Sequence, residues 1–363
     1  MRYFTASESQ VAIRWTIDLY LKCSPSRWLP LPLCRMPTLN EEKMSKESLM
    51  TLVADDLDDS RLQGLGMFVS LKSISDAGHN HSQVSNELFG RLDSELFATF
   101  DADELIAYTS QRPRVSFLGD HFAGYQAPRM EIYLMTDEMD RKFWFLTGVE
   151  PDLKWERVIA ELHSFIEAFN VSLVVGTASL PMPVPHTRPV GVTAHGNRKD
   201  LIENISTWSP TVESPAGLAS LLEIRLSEAG RDVVGYSLHT PHYLAESEYP
   251  AVAVATLEYV GAALKLALPT DKLREAGRLV DQQLAEQLET NSDVRQMVEG
   301  FEERFDAHAK EHEPRSLLLD EDEQMADAEE LGASAEHFLA AIENTEDWLK
   351  NGHIEPLPGD HDQ

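Results

Sequence analysis

Cysteine is nearly missing. The 363 residues contain Cys23 and Cys34 alone, too few for a disulfide framework, so a reducing compartment and a cytoplasmic location are expected. Long apolar runs are missing too. No stretch approaches the ~18 consecutive apolar residues that a membrane span needs, and no apolar block with a small-residue cleavage site marks a signal peptide. Positive charge is scarce: 31 Lys and Arg face 61 Asp and Glu, for a net charge of -30. A surface that acidic repels phosphate backbones and anionic headgroups, so neither nucleic acid nor membrane is an expected partner. Nucleotide fingerprints are absent: no G-x-x-x-x-G-K-[ST], and no G-x-G-x-x-G between a strand and a helix. A G-x-S-x-G elbow is absent as well, which argues against an α/β-hydrolase. No cofactor is expected.

What remains is ample for a core, at 42% hydrophobic residues. The chain reads in four parts. Residues 1–44 form an N-terminal extension expected to pack poorly. Its first 36 residues are relatively basic, and prolines 25, 30, 32 and 37 interrupt it. Residues 45–269 are the expected α/β core domain, 270–350 a C-terminal helical region, and 351–363 a frayed acidic tail. From Phe301 onward there are nineteen acids and four bases, the pattern of a solvated face.

Within the core, strand and helix alternate. Met67–Ile74 reads as a buried strand and His79–Leu92 as a helix. Leu96–Thr99, Arg114–Leu118, Met130–Met135 and Phe143–Thr147 follow as strands, the last two a hairpin around the polar turn Thr136–Asp140. Trp155–Phe169 carries apolar residues at helical spacing, and Val171–Val175 is a continuous apolar strand. Val190–Ala194, helix Gly217–Ala229, strand Val233–Leu238 and helix Ala251–Leu268 complete the alternation. This predicts a three-layer α/β/α sandwich with a mixed sheet. Beyond Pro269, Leu273, Val280, Leu284 and Leu288 share one helical face, and Val294, Met297, Phe301 and Phe305 a second. Ala335–Leu349 suits a third helix.

In open α/β sheets, sites sit beyond the carboxyl ends of strands. Asp76, Glu150, His186, Arg188, His195, His242 and Glu246 all fall there. If the protein is an enzyme, Asp76, Glu150, His186 and His195 are its candidate acids and bases. Arg188, His242 and Glu246 are candidate ligand contacts. Each has a plain structural reading: Asp76 could cap the helix after it, and Glu150-Pro151-Asp152 the helix at Trp155. His79-x-His81 and the group His186, His195, His239, His242 are too sparse in converging ligands for a metal site to be expected.

Three segments carry a resemblance: PHTRPVGVTAHG at 185–196, GVEPDLKWE at 148–156 and PHYLAESEYP at 241–250. In order and spacing, from about Leu65 to Phe305, the chain resembles the bacterial branch of the proteasome assembly chaperone 2 family. The resemblance implies a phosphorylase/hydrolase-like core with appended C-terminal helices, and a homo-oligomer, commonly a trimer. It implies no known reaction. Three departures stand out. Ile74-Ser75 replaces the aromatic step before Asp76-Ala77-Gly78. Tyr108–Pro113 (YTSQRP) carries fewer arginines. The chain ends His361-Asp362-Gln363, not hydrophobic-Tyr-X, so docking on a proteasome core in the archaeal manner is not expected. The expected function is therefore a non-enzymatic assembly-chaperone-like or scaffold protein with itself and an unidentified protein as partners. The alternative is an enzyme acting on a small anionic or nucleoside-like substrate at the strand ends.

Overall fold

The computed structural model describes residues 48–53, 60–208 and 211–311. The expectations for the 1–44 extension, for helix Ala335–Leu349 and for the 351–363 tail lie outside the described residues.

In chain order the elements are β1 (Met50–Leu52), β2 (Met67–Lys72), α1 (Asn80–Arg91), β3 (Asp93–Phe100) and the single turn α2 (Ala102–Leu105). A small hairpin, β4 (Ser116–Leu118) and β5 (His121–Ala123), precedes β6 (Met130–Thr136), β7 (Lys142–Val149) and α3 (Trp155–Ala168). Then come β8 (Val174–Met182), β9 (Val192–Gly196), α4 (Leu218–Glu228), β10 (Val233–Pro241), α5 (Pro250–Leu264), α6 (Asp271–Thr290) and α7 (Ser292–Glu311). Eight strands form one sheet in the order β1-β3-β6-β7-β2-β8-β10-β9. Its centre, β7-β2-β8-β10, is parallel, and both flanks are antiparallel.

The central strands are apolar on both faces because helices cover both. Met67, Val69, Trp144, Leu146 and Val174 pack with Val158, Leu162 and Ile166 of α3 and Leu218, Leu222 and Leu226 of α4. The alternate residues Phe68, Phe143, Phe145, Val175 and Val234 pack with α1 and α5. This is the three-layer α/β/α sandwich with a mixed sheet that the alternation predicts. α5 is apolar nearly all round because it is buried nearly all round. Pro250 opens it at a position where no N–H is needed. Lys265, at φ 56, ends it four residues earlier than its composition predicts. Just beyond, the buried Asp137 carboxylate accepts from the Ala267 N–H at 2.8 Å and from the Met139 and Arg141 amides, tying the β6–β7 turn to the end of α5.

Several strand boundaries differ from the sequence expectation: β2 ends at Lys72 rather than Ile74, β3 starts at Asp93 rather than Leu96, β4 starts at Ser116 rather than Arg114, β10 runs on to Pro241, and β8 and β9 are displaced. The strand expected at Val171–Val175 is β8, which starts later and runs on through Pro181. Ser179 N–H donates to Ser75 on the β2 side at 2.9 Å. Pro181, two residues on, faces that same side beyond the end of β2, where a missing donor leaves nothing unpaired. The strand expected at Val190–Ala194 is shifted two residues to β9. Leu273, Val298 and Phe301 are the buried residues of the C-terminal helices, and Asn291 Oδ1 caps α7 through the Asp293 and Val294 amides.

Candidate functional site

A cavity of about 260 Å³ lies between the sheet and the first turns of α4. β9 pairs antiparallel with β10, which sets His195 directly opposite Gly235. A Cβ at 235 would overlap the imidazole, so the glycine is what lets the ring lie flat across β10. From there Nδ1 is 2.6 Å from Glu223 Oε2 on α4, and Nε2 is 3.1 Å from Ser237 Oγ, two residues along β10. A carboxylate only accepts, so Nδ1 carries the proton, and in the neutral ring Nε2 accepts from the Ser237 hydroxyl. Leu222 and Leu226 anchor α4 in the core and leave Glu223 turned toward the cavity. Glu150, just past β7, lines the same cavity. Its Oε1 accepts from the Leu218 N–H at 2.6 Å, and burial pushes its carboxyl up from the usual range.

A second gathering of candidates lies under α7. The His186 N–H donates to Tyr243 Oη at 3.0 Å, and Nδ1 is 2.8 Å from the same oxygen. Arg188 donates from Nε and Nη2 to both oxygens of Asp306 at 2.8 Å, and from Nη1 to Glu302 at 3.2 Å. That bond to Asp306 raises the guanidinium further and holds the Asp306 carboxyl low. Thr187 also donates to Glu302. The Tyr243 and Phe301 rings lie parallel at 6.3 Å, and His242 meets Phe301 edge-on at 5.5 Å. Burial pushes His186 down and Tyr243 up to about 12.

The seven candidates are thus divided. Glu150 and His195 share the cavity, Arg188 and His242 meet α7, and His186 is joined to it through Tyr243. Asp76 accepts from the His81 N–H at 2.7 Å and fastens the first turn of α1, while burial raises its carboxyl. Glu246 is exposed, and its backbone oxygen lies 3.2 Å from His79 Nε2. Sequence reasoning did not single out Ser237 or Glu223. The available signal was small: Gly235 and Ser237 are two small residues at alternate positions of a strand that starts Val233-Val234. Among the described residues, no three His, Cys, Asp or Glu side chains are grouped to hold a metal ion. None of the described helices is long and apolar enough to cross a membrane.

The model of the PAC2 family matches residues 71–288. Among solved structures, a Mycobacterium tuberculosis protein of unknown function is 36% identical, with a TM-score of 0.68 over 73% of this chain and 91% of that one. A Corynebacterium glutamicum protein of unknown function is 31% identical, with a TM-score of 0.69 over 72% of this chain and 99% of that one. A Mycobacterium tuberculosis proteasome-assembly chaperone homologue shares the fold at 22% identity and a TM-score of 0.59, over 64% of this chain and all of that one. Among curated proteins, none matches the chain.

Proposed function

The chain belongs to the PAC2 family, and from that membership we propose that it is an assembly-chaperone-like or scaffold protein of the cytoplasm whose first partner is another copy of itself. The observation that carries this reading is the β4–β5 hairpin. Phe117 and Phe122 are 61% and 72% exposed, and their rings meet edge-on at 5.2 Å. Val115, Leu118 and Tyr125 are exposed beside them. Burying each phenylalanine would contribute about 1.5–3 kcal/mol, which favours a protein surface as the covering. Exposed Arg112, Arg114 and Arg129 flank the hairpin, whereas the chain as a whole carries a net charge of -30. A second copy supplies the complementary sign. The chaperone role is the one for which a Mycobacterium protein of the same fold is named. A trimer fits this reading, and neither nucleic acid nor a membrane enters it.

The test is the mass of the full-length protein in solution. Light scattering at micromolar concentration should give a multiple of 40.8 kDa, and Phe117→Ser with Phe122→Ser should return it to a monomer. A monomeric wild type, or an oligomer that ignores both substitutions, overturns the hairpin as the interface. The enzyme reading with an anionic substrate at the strand ends has less support, because Arg188 is committed to Asp306 and Glu302 of its own chain.

A further inference from the structure

We infer that Ser237, His195 and Glu223 form a nucleophilic site, and that the cavity they share takes a small ester or amide that is uncharged or carries an ammonium group. The inference is separate from the scaffold reading and uses none of its surfaces.

The geometry is the first support. A serine hydroxyl is a weak nucleophile unless a base within hydrogen-bond reach takes its proton and a third group orients that base. Here the reach is 3.1 Å from Ser237 Oγ to His195 Nε2, and 2.6 Å from Nδ1 to the Glu223 carboxylate. The three groups come from β10, β9 and α4, so nothing local to the sequence brings them together. Gly235 supplies the space for the ring. The second support is the setting. The site opens onto the cavity rather than onto a packed core, with Leu71, Val174, Leu180 and Val233 among its apolar walls. Ala219 and Ser220 of the first turn of α4 also line it. First-turn amides lack intrahelical acceptors and are candidate donors to a developing oxyanion.

The lining also sets the substrate's charge. Among the described residues that line the cavity there is no Lys or Arg, whereas Glu150 and Glu223 are both present. An anion would enter against two acids and meet no base. A neutral acyl compound enters freely, and an ammonium group would find Glu150. The volume of about 260 Å³ limits the acyl part to a short chain.

The reaction closes on itself. Ser237 Oγ bonds to the carbonyl carbon, the carbonyl π pair moves onto oxygen, and the hydroxyl proton passes to His195 Nε2. On collapse the bond from carbon to the leaving group breaks, and the departing alcohol or amine takes the proton from Nε2. Water then adds to the acylated serine and gives its proton to Nε2, and Ser237 recovers it as the acid leaves. Water is the only co-reactant.

The experiment treats the full-length protein with a fluorophosphonate, which forms a P–O bond to an activated serine and expels fluoride. The expected result is one adduct, mapped by peptide mass spectrometry to Ser237. Ser237→Ala should lose it while melting with the wild type. His195→Asn and Glu223→Gln should slow adduct formation about 100-fold or more. Glu223→Asp should restore part of the rate, as a positioning carboxylate would and a packing role would not. Among short-chain nitrophenyl esters, neutral and cationic ones should turn over faster than anionic ones. No adduct on Ser237, an adduct that forms as fast in His195→Asn, or a preference for anionic esters would each overturn the inference.

Discussion

His195 and His186 are both half-buried imidazoles beside a hydroxyl, and they end in different chemistry. At His195 a carboxylate holds the Nδ1 proton, so Nε2 faces the serine as a base. At His186 the neighbour is a phenol that accepts from the backbone N–H and lies 2.8 Å from Nδ1. Burial pushes that phenol up to about 12, which keeps its proton in place. Close by, Arg188 is gripped by Asp306, and the rings of Tyr243 and His242 both meet Phe301. An imidazole beside a hydroxyl therefore lines a cavity in one place and helps fasten a C-terminal helix in the other. Which it does is decided by the partner the fold delivers.

The largest effect that separates the two regions is expected from Phe301→Ala. Phe301 is a buried anchor of α7, and truncating such a ring costs about 3–5 kcal/mol. Denaturant titration should show the loss, and amide exchange should rise along α7. Adduct formation at Ser237 should be unchanged; a fall there would mean that the two regions are one coupled unit.

Gly235→Ala is the reciprocal substitution. Overpacking of this kind costs about 1–3 kcal/mol, and the displaced imidazole leaves Ser237 without its base. Exchange along α7 should stay as in the wild type. Retained serine reactivity would break the distinction from the cavity side.

The smallest effect is a pH dependence. Burial pushes His239 down to about 4, and burial also leads in pushing His81 down to about 4. Both stay neutral in the fold, whereas the unfolded chain takes protons below about 6.5. Stability is therefore full above about pH 6.5 and falls as pH drops toward 4, by about 1 kcal/mol per histidine at pH 5.5. The raised carboxyls of Asp76 and Glu150 act in the opposite sense and blunt the slope. Melting temperatures from pH 7 to pH 5 should show the decline, and His239→Asn should flatten it. An unchanged slope in that variant would show that the region beside Ser237 does not titrate as its burial implies.

The layers of this fold were legible because each covered strand and helix carries its own periodicity. Helix Trp155–Phe169 and the hairpin of β6 and β7 were readable within a residue or two for that reason. The course of β8 was not, since a proline in a strand is tolerated only where the neighbour has ended, and that is a fact about β2. The site was half legible. Glu150 and His195 fall past predicted strands, where the position rule finds them. Glu223 and Ser237 stand inside regular elements, and what distinguishes them is the pairing of β9 with β10, which no local pattern records. Likewise, nothing in PHTRPVG tells that Arg188 meets an aspartate more than a hundred residues later.

The mixed sheet has a consequence for how the molecule assembles itself. β6 and β7 are a hairpin, and their pairing closes a loop of a few residues. β2 and β8 pair across more than a hundred residues, and β8 with β10 across some sixty. Closing longer loops costs more chain entropy and is slower. The antiparallel hairpin can thus exist before the parallel half is complete. Ser237 belongs to β10 of that later half, whereas His195 stands on the antiparallel edge strand β9, which pairs with β10 across some forty residues, with Glu223 on the helix between them. The segment from β9 to β10 can therefore bring these three side chains together before β2 and β8 have joined, so the cavity's polar wall is a local product of the chain and its apolar wall a late one.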